Sequence, residues 1–139
     1  MAEKSGGVHF DVVTIFPDVL DQLGNIGVVG KARQTGLIKL RVHDLRDFCG
    51  DTHRTVDDAP YGGGPGMVLK AEPFLRVLHH ISESQGVPDS VVLLSPQGKT
   101  LTHNIAERFA EFRHIVLFCG RYEGVDERVS GGVTEEVSI

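Results

Sequence analysis

The chain has 139 residues, a net charge of -5 and an apolar content of 40%, enough for one compact domain with its own core. Two cysteines, Cys49 and Cys119, exclude a disulfide framework, no apolar run approaches the roughly 20 residues of a membrane span, and the acidic balance excludes a chain that is basic throughout and binds nucleic acid by charge alone. The lead from Met1 to Gly7 lacks the apolar core of a secretion signal, so a reducing, cytoplasmic setting is expected.

Val8 to Ile15 is rich in β-branched and aromatic residues and reads as a buried strand. Phe16-Pro17-Asp18 ends it and opens a short helix through Leu23, with proline tolerated near the start. Val28 to Gln34 forms a second short helix, stopped by Gly36. Ile38, Leu40 and Val42 alternate with Lys39, Arg41 and His43, which predicts a half-buried strand with a basic outer face suited to phosphates. The segment from Lys31 to Arg54 is locally basic, whereas Glu123 to Glu136 is acidic. Gly50 to Gly66 is a long polar connection ending in Tyr61-Gly62-Gly63-Gly64-Pro65-Gly66, and such loops are usually functional or disordered.

Met67 to Leu69 resumes as a short strand. Phe74, Val77, Leu78 and Ile81 share one helical face, with Pro73 in the first turn and Gly86 past the end. Val91 to Leu94 is a continuous apolar strand that breaks at Ser95-Pro96-Gln97-Gly98. Thr102 can cap a helix whose Ile105, Phe109 and Phe112 face one way. Ile115 to Phe118 is another buried strand, followed by a glycine-bounded loop and a helix over Val125 to Val129, stopped by Gly131-Gly132. Strands alternating with helices predict an α/β domain, a mainly parallel sheet covered on both faces. The strands at Val91 and Ile115 should be parallel neighbours.

Three Gly/Pro-rich stretches, 61–66, 95–98 and 119–124, present main-chain N–H and C=O groups to a ligand. In an open α/β sheet ligands bind beyond the carboxyl ends of strands, which is where the last two fall. A phosphate-loop hydrolase binding nucleoside triphosphate at residues 62–66 is a weaker rival, and Met67, standing where Lys-Ser/Thr would follow the glycines, argues against it. No Gly-x-Gly-x-x-Gly joins a strand to a helix, and Ser-Pro-Gln-Gly is not a nucleophile elbow. The histidines show no metal-ligand spacing along the chain, and no metal is expected. His79-His80 read as surface residues, and Cys119 as a small hydrophobe closing a strand.

Thr55-Val56-Asp57-Asp58-Ala59-Pro60-Tyr61-Gly62-Gly63-Gly64-Pro65-Gly66-Met67, Leu94-Ser95-Pro96-Gln97-Gly98 and Cys119-Gly120-Arg121-Tyr122-Glu123-Gly124-Val125-Asp126-Glu127-Arg128, with Phe10 to Pro17 before them, resemble the bacterial tRNA (guanine-N1-)-methyltransferases, TrmD, of the SPOUT class of knotted methyltransferases. The resemblance runs from about Phe10 to Ile139. It implies S-adenosyl-L-methionine as cofactor, held by Leu93, Leu94, Ser95, Pro96, Gly120, Tyr122, Glu123, Gly124, Ser138 and Ile139. It implies the guanine 3′ of a tRNA anticodon as substrate, met by Pro65, Gly66 and Glu123, and a homodimer as the working form. A carboxylate at 123 suits that base, since it can accept from guanine N1–H and the exocyclic amine together. In the family, Glu-Glu-x-Ser-Ile continues into Gly-Asp-Tyr-x-Leu-x-Gly-Gly-Glu, whereas this chain stops at Ile139. The catalytic Asp and Arg, and the segment that threads the knot, are therefore expected beyond Ile139, the knot is incomplete here, and residues 1–139 alone should transfer no methyl. The alternative is a non-catalytic fragment that binds adenosyl compounds or nucleotide weakly.

Overall fold

The computed structural model describes residues 7–49, 67–120 and 122–139. In chain order these form β1 (Val8–Thr14), α1 (Pro17–Leu23), α2 (Gly27–Gln34), β2 (Ile38–Asp44), a 3-10 turn at Leu45–Phe48, β3 (Met67–Leu69), α3 (Ala71–Gln85), β4 (Ser90–Thr100), α4 (His103–Ala110), β5 (His114–Phe118), β6 (Tyr122–Val125), α5 (Glu127–Ser130) and β7 (Glu135–Ser138). Among the described residues the main sheet has five strands in the order β2-β1-β5-β4-β7, and every neighbouring pair is parallel. β3 and β6 make a separate parallel pair.

A sheet covered on both faces needs strands that are apolar on both sides, and β5 shows how the sequence supplies this. Val116 and Phe118 join one core with Val13, Val91, Leu93 and the α3 residues Phe74, Val77 and Ile81. Ile115 and Leu117 point the other way, to Val8, Val92, Val137 and the aromatic pair Phe109 and Phe112. The Phe74 and Phe118 ring centroids lie 4.7 Å apart, tying α3 to the sheet. Each such fully buried side chain contributes about 1.5–3 kcal/mol.

The helix ends follow local rules. Gly86 closes α3 at φ 85°, a left-handed conformation that a side chain would resist. The Thr102 hydroxyl caps α4 by accepting from the Ile105 amide at 3.2 Å, a contact worth about 1 kcal/mol. The expected strands β4 and β5 are parallel neighbours, with Ser90 to Leu93 in register with Ile115 to Phe118.

Three expectations need correction. Tyr122–Val125 is a strand, so the helix expected over Val125 to Val129 shortens to Glu127–Ser130. Asp126 caps that helix by accepting from the Arg128 amide at 2.9 Å, which fixes its start. The break expected at Ser95 is not the end of β4, because the chain stays extended to Thr100. Its pairing with β7 is interrupted instead: Leu94 and Lys99 both lie opposite Val137, and residues 95–98 make an excursion between them. The third correction concerns β2. Arg41, with its side chain 39% exposed, is not simply a solvated cation but turns to the buried Asp11, its Nε 3.0 Å from Oδ1.

Candidate functional site

The carboxyl ends of β4 and β5 lie side by side, and β7 flanks β4 on the other side. The chain leaves β4 for β5 in one direction, then returns past β4 to β7 in the other. Such reversals open a crevice at the carboxyl edge of a parallel sheet. Two of the expected loops meet there. Leu93 and Leu94 end the regular part of β4, Leu93 buried and Leu94 half-buried. Ser95 is buried and its hydroxyl accepts from the Gln97 amide at 3.1 Å, which shapes the excursion, while Pro96 is exposed. Gly120 follows β5 after the Cys119 amide has donated to the Val13 carbonyl at 2.9 Å.

Ser138 reaches the same edge. It pairs with Thr100, and its carbonyl accepts from the Leu101 amide at 2.8 Å. Ile139 is exposed. The excursion is held against β7 at very short range. A Cβ on Gly98 would come within 2.5 Å of the Val137 nitrogen and 2.6 Å of the Glu136 carbonyl carbon, so only glycine fits. A cleft of about 320 Å³ opens beside it, lined by Gln97, Gly98, Lys99, Thr134, Glu135 and Glu136, at the small end of the range for ligand pockets.

Glu123 occupies a distinctive backbone position. Met67 pairs with Tyr122 and Val68 with Gly124, so Glu123 is the extra residue of a β-bulge. Bulges re-aim a side chain and are enriched beside active sites. Tyr122 and Gly124 flank it on β6, which lies close to β4. Pro65, Gly66 and Arg121 lie outside the described residues.

Two acids near this edge, Glu135 and Asp126, are committed to ion pairs. Arg108 on α4 forks onto Glu135 at 2.7 and 2.6 Å, and that pair holds the Glu135 carboxyl below its ordinary range. Asp126 accepts from the Arg128 guanidinium at 3.1 and 2.9 Å, which lowers its pKa to about 2. A carboxylate so paired is a poor base. Burial raises the Cys119 thiol to about 11, so it behaves as the small hydrophobe expected.

A second constellation, which the sequence reading missed, lies on the α3 face of the sheet, towards the amino half of the strands. Asp11 is fully buried on β1, with its neighbours drawn from β1, β2 and β5. His43 Nε2 stands 2.6 Å from Oδ1 and His114 Nε2 2.7 Å from Oδ2. Burial pushes the Asp11 carboxyl up, but the hydrogen bonds from His43, His114 and Arg41 outweigh it and hold the group well below the usual carboxylate range. The signal available in the sequence was an acid inside a β-branched strand with histidine two residues before it. Its partners on β2 and β5 are set by register alone.

Comparison with known proteins agrees with this arrangement. The family described as tRNA (Guanine-1)-methyltransferase TrmD matches residues 8–139. A tRNA (guanine-N(1)-)-methyltransferase from Thermotoga maritima is 48% identical over 132 residues, 95% of this chain and 54% of its own. The protein of the same description from Dictyoglomus turgidum is 45% identical over 132 residues, again 95% of this chain and 53% of its own. The solved tRNA (m1G37) methyltransferase from Aquifex aeolicus superposes with a TM-score of 0.82 at 38% identity, covering 96% of this chain and 60% of that one. The chain thus spans about half the length of the curated relatives it matches.

Proposed function

The chain belongs to the tRNA (guanine-1)-methyltransferase TrmD family, and from that premise we propose that the protein transfers a methyl group from S-adenosyl-L-methionine to N1 of the guanine 3′ of a tRNA anticodon. The observation that carries this reading is the interrupted β4–β7 pairing at the carboxyl edge, beside the end of β5. It frees main-chain groups of residues 95–98 from the ladder, as a backbone-bound cofactor requires. Half-buried Leu94 offers apolar surface beside the buried Leu93, and the Ser95 hydroxyl is already engaged with Gln97. These residues fit an adenosyl group read by backbone donors and acceptors. Leu93 to Pro96, Gly120, Tyr122 to Gly124, Ser138 and Ile139 would hold it.

Bound adenosylmethionine supplies the electrophile, a methyl group on a sulfonium. This chain's residues bind and align. Glu123 reads guanine by accepting from the exocyclic amine, and from N1–H only until that proton is removed, with Pro65 and Gly66 completing the pocket. Alignment of N1 with the methyl supplies much of the rate. Removing the N1 proton needs a separate base. Asp126 is tied to Arg128 and Glu123 is reading the base, so the Asp and Arg that complete the reaction are assigned to the region after Ile139 in the relatives. That region would also carry the segment that threads the knot. The protein works as a homodimer in the cytoplasm. Val19, Leu23, Ile26 and Val28 on and between α1 and α2 are exposed and apolar, which supports a self-association face. No helix among the described residues is long and apolar enough to cross a membrane.

The test follows methyl transfer from radiolabelled adenosylmethionine to unmodified tRNA, using residues 1–139 joined to the second half of a relative such as that of Thermotoga maritima. Label is expected in tRNA with guanine 3′ of the anticodon and not in tRNA with adenine there. Transfer to both, or to neither while adenosylmethionine still binds, rejects the assignment. Glu123→Gln should weaken selection of guanine by about 1–3 kcal/mol with cofactor affinity unchanged. Equal losses for both ligands would mark Glu123 as a residue that folds the bulge.

A further inference from the structure

We propose that His9, Asp11 and His114 form a binding site for a divalent transition metal ion, separate from the methyl-transfer edge. One ligand atom from each, the two imidazole nitrogens and a carboxylate oxygen, all lie within 4.8 Å of one another. His9 Nε2 is buried with no hydrogen-bond partner, and it stands 3.5 Å from Asp11 Oδ2. A buried ring nitrogen left without a partner is unusual and calls for one. His114 Nε2 approaches the same oxygen at 2.7 Å, and the two rings stack at 5.0 Å between centroids.

The donors are held on two adjacent, hydrogen-bonded strands of the main sheet. His9 and Asp11 are two residues apart on β1 and so share a face, and His114 is the direct register partner of His9 on β5. Zinc takes nitrogen and oxygen ligands at about 2.0–2.2 Å, which puts tetrahedral ligand atoms about 3.3 Å apart. The His9–Asp11 separation already matches that figure. The His114–Asp11 separation has to open by about 0.6 Å, as expected when an ion replaces a hydrogen bond. Binding uses the Nε2 lone pairs, so the proton that His114 Nε2 shares with Asp11 moves to Nδ1 or leaves to solvent. The outer contacts also suit a ligating carboxylate. Oδ1 is engaged by His43 at 2.6 Å and Arg41 at 3.0 Å, leaving Oδ2 for the ion. The Arg41 charge limits affinity, and the donor set favours zinc, copper or nickel over magnesium. His9 is 18% and His114 11% exposed at the side chain, so water can reach a fourth position.

The inference does not depend on methyl transfer, since these residues sit on the α3 face and not at the carboxyl edge. The test titrates the full chain with zinc alone after chelator treatment and reads heat. One ion per chain is expected, with affinity falling at least tenfold in His9→Gln. His103→Ala, an exposed histidine paired with Glu107, should leave it unchanged. Cobalt should give the visible bands of a four-coordinate site in the unaltered chain, and His9→Gln should abolish them. No stoichiometric zinc binding, His9→Gln affinity within twofold of the unaltered chain, or no such cobalt bands would each overturn the proposal.

Discussion

Asp11 is a fully buried acid that ties three strands together. It joins β1, β2 and β5 through Arg41, His43 and His114. Asp11→Asn keeps the shape and removes the charge, leaving Arg41 without its anion. Breaking a buried pair costs about 3–5 kcal/mol, and because Arg41 is partly exposed the lower end is expected, about 3 kcal/mol, read from urea unfolding. A second prediction concerns Cys119. With the thiol raised from 9.0 to about 11, its thiolate fraction at pH 8 falls about 100-fold, and alkylation should slow accordingly. In a Cys49→Ser chain the labelling rate should climb with pH towards 11, whereas the unfolded chain should level off near 9. The neutral thiol favours the native state, so its contribution is full below about pH 9 and is lost as pH rises through about 11. Neither property was fully legible beforehand. Burial of Cys119 followed from the apolar run before it. The Asp11 cluster did not follow, because His114 is 103 positions from Asp11 and only strand order brings them together.

Elements with strong patterns were readable, and those carried by pairing were not. β5 and the regular part of β4 are unbroken apolar runs, and α3 has a full helical stripe, so burial alone selects them. β7 is Glu-Glu-Val-Ser with only Val137 buried, and β6 contains a charge and a glycine. Both are strands because an existing strand offers them backbone partners, information absent from a local window. The candidate site shows the same division. Its loops were visible as glycine and proline, but the doubled use of Val137 that opens the 95–98 excursion belongs to the ladder. Gly98→Ala tests that junction. Its Cβ would meet β7 main chain at 2.5 Å, and backbone cannot step aside as a side chain can. A loss of about 1–3 kcal/mol is expected, with weakened adenosylmethionine binding in calorimetry. Unchanged stability would mean that the excursion and β7 are not held at this distance in solution.

At the scale of the whole molecule, the apolar side chains on and between α1 and α2 are one exposed patch left outside both cores. Val28 is 86% and Ile26 62% exposed. Ile26→Lys with Val28→Lys should shift the protein towards monomer in sedimentation, with little change in unfolding free energy, because neither side chain packs inside the protomer. The strand order has a different kind of consequence, one that belongs to synthesis. β1 gains β2 as soon as Asp44 is made, but its other neighbour, β5, is complete only at Phe118. At about 5–20 residues per second on the ribosome, the inner flank of β1 waits roughly 4–15 s for its partner. Val12 and Val13 would pass that interval beside unpaired amide and carbonyl groups, the kind of edge that nascent chains join by mistake. Asp11, placed in the middle of that strand, carries a charge there throughout the wait, and so guards the flank before it ever meets His114.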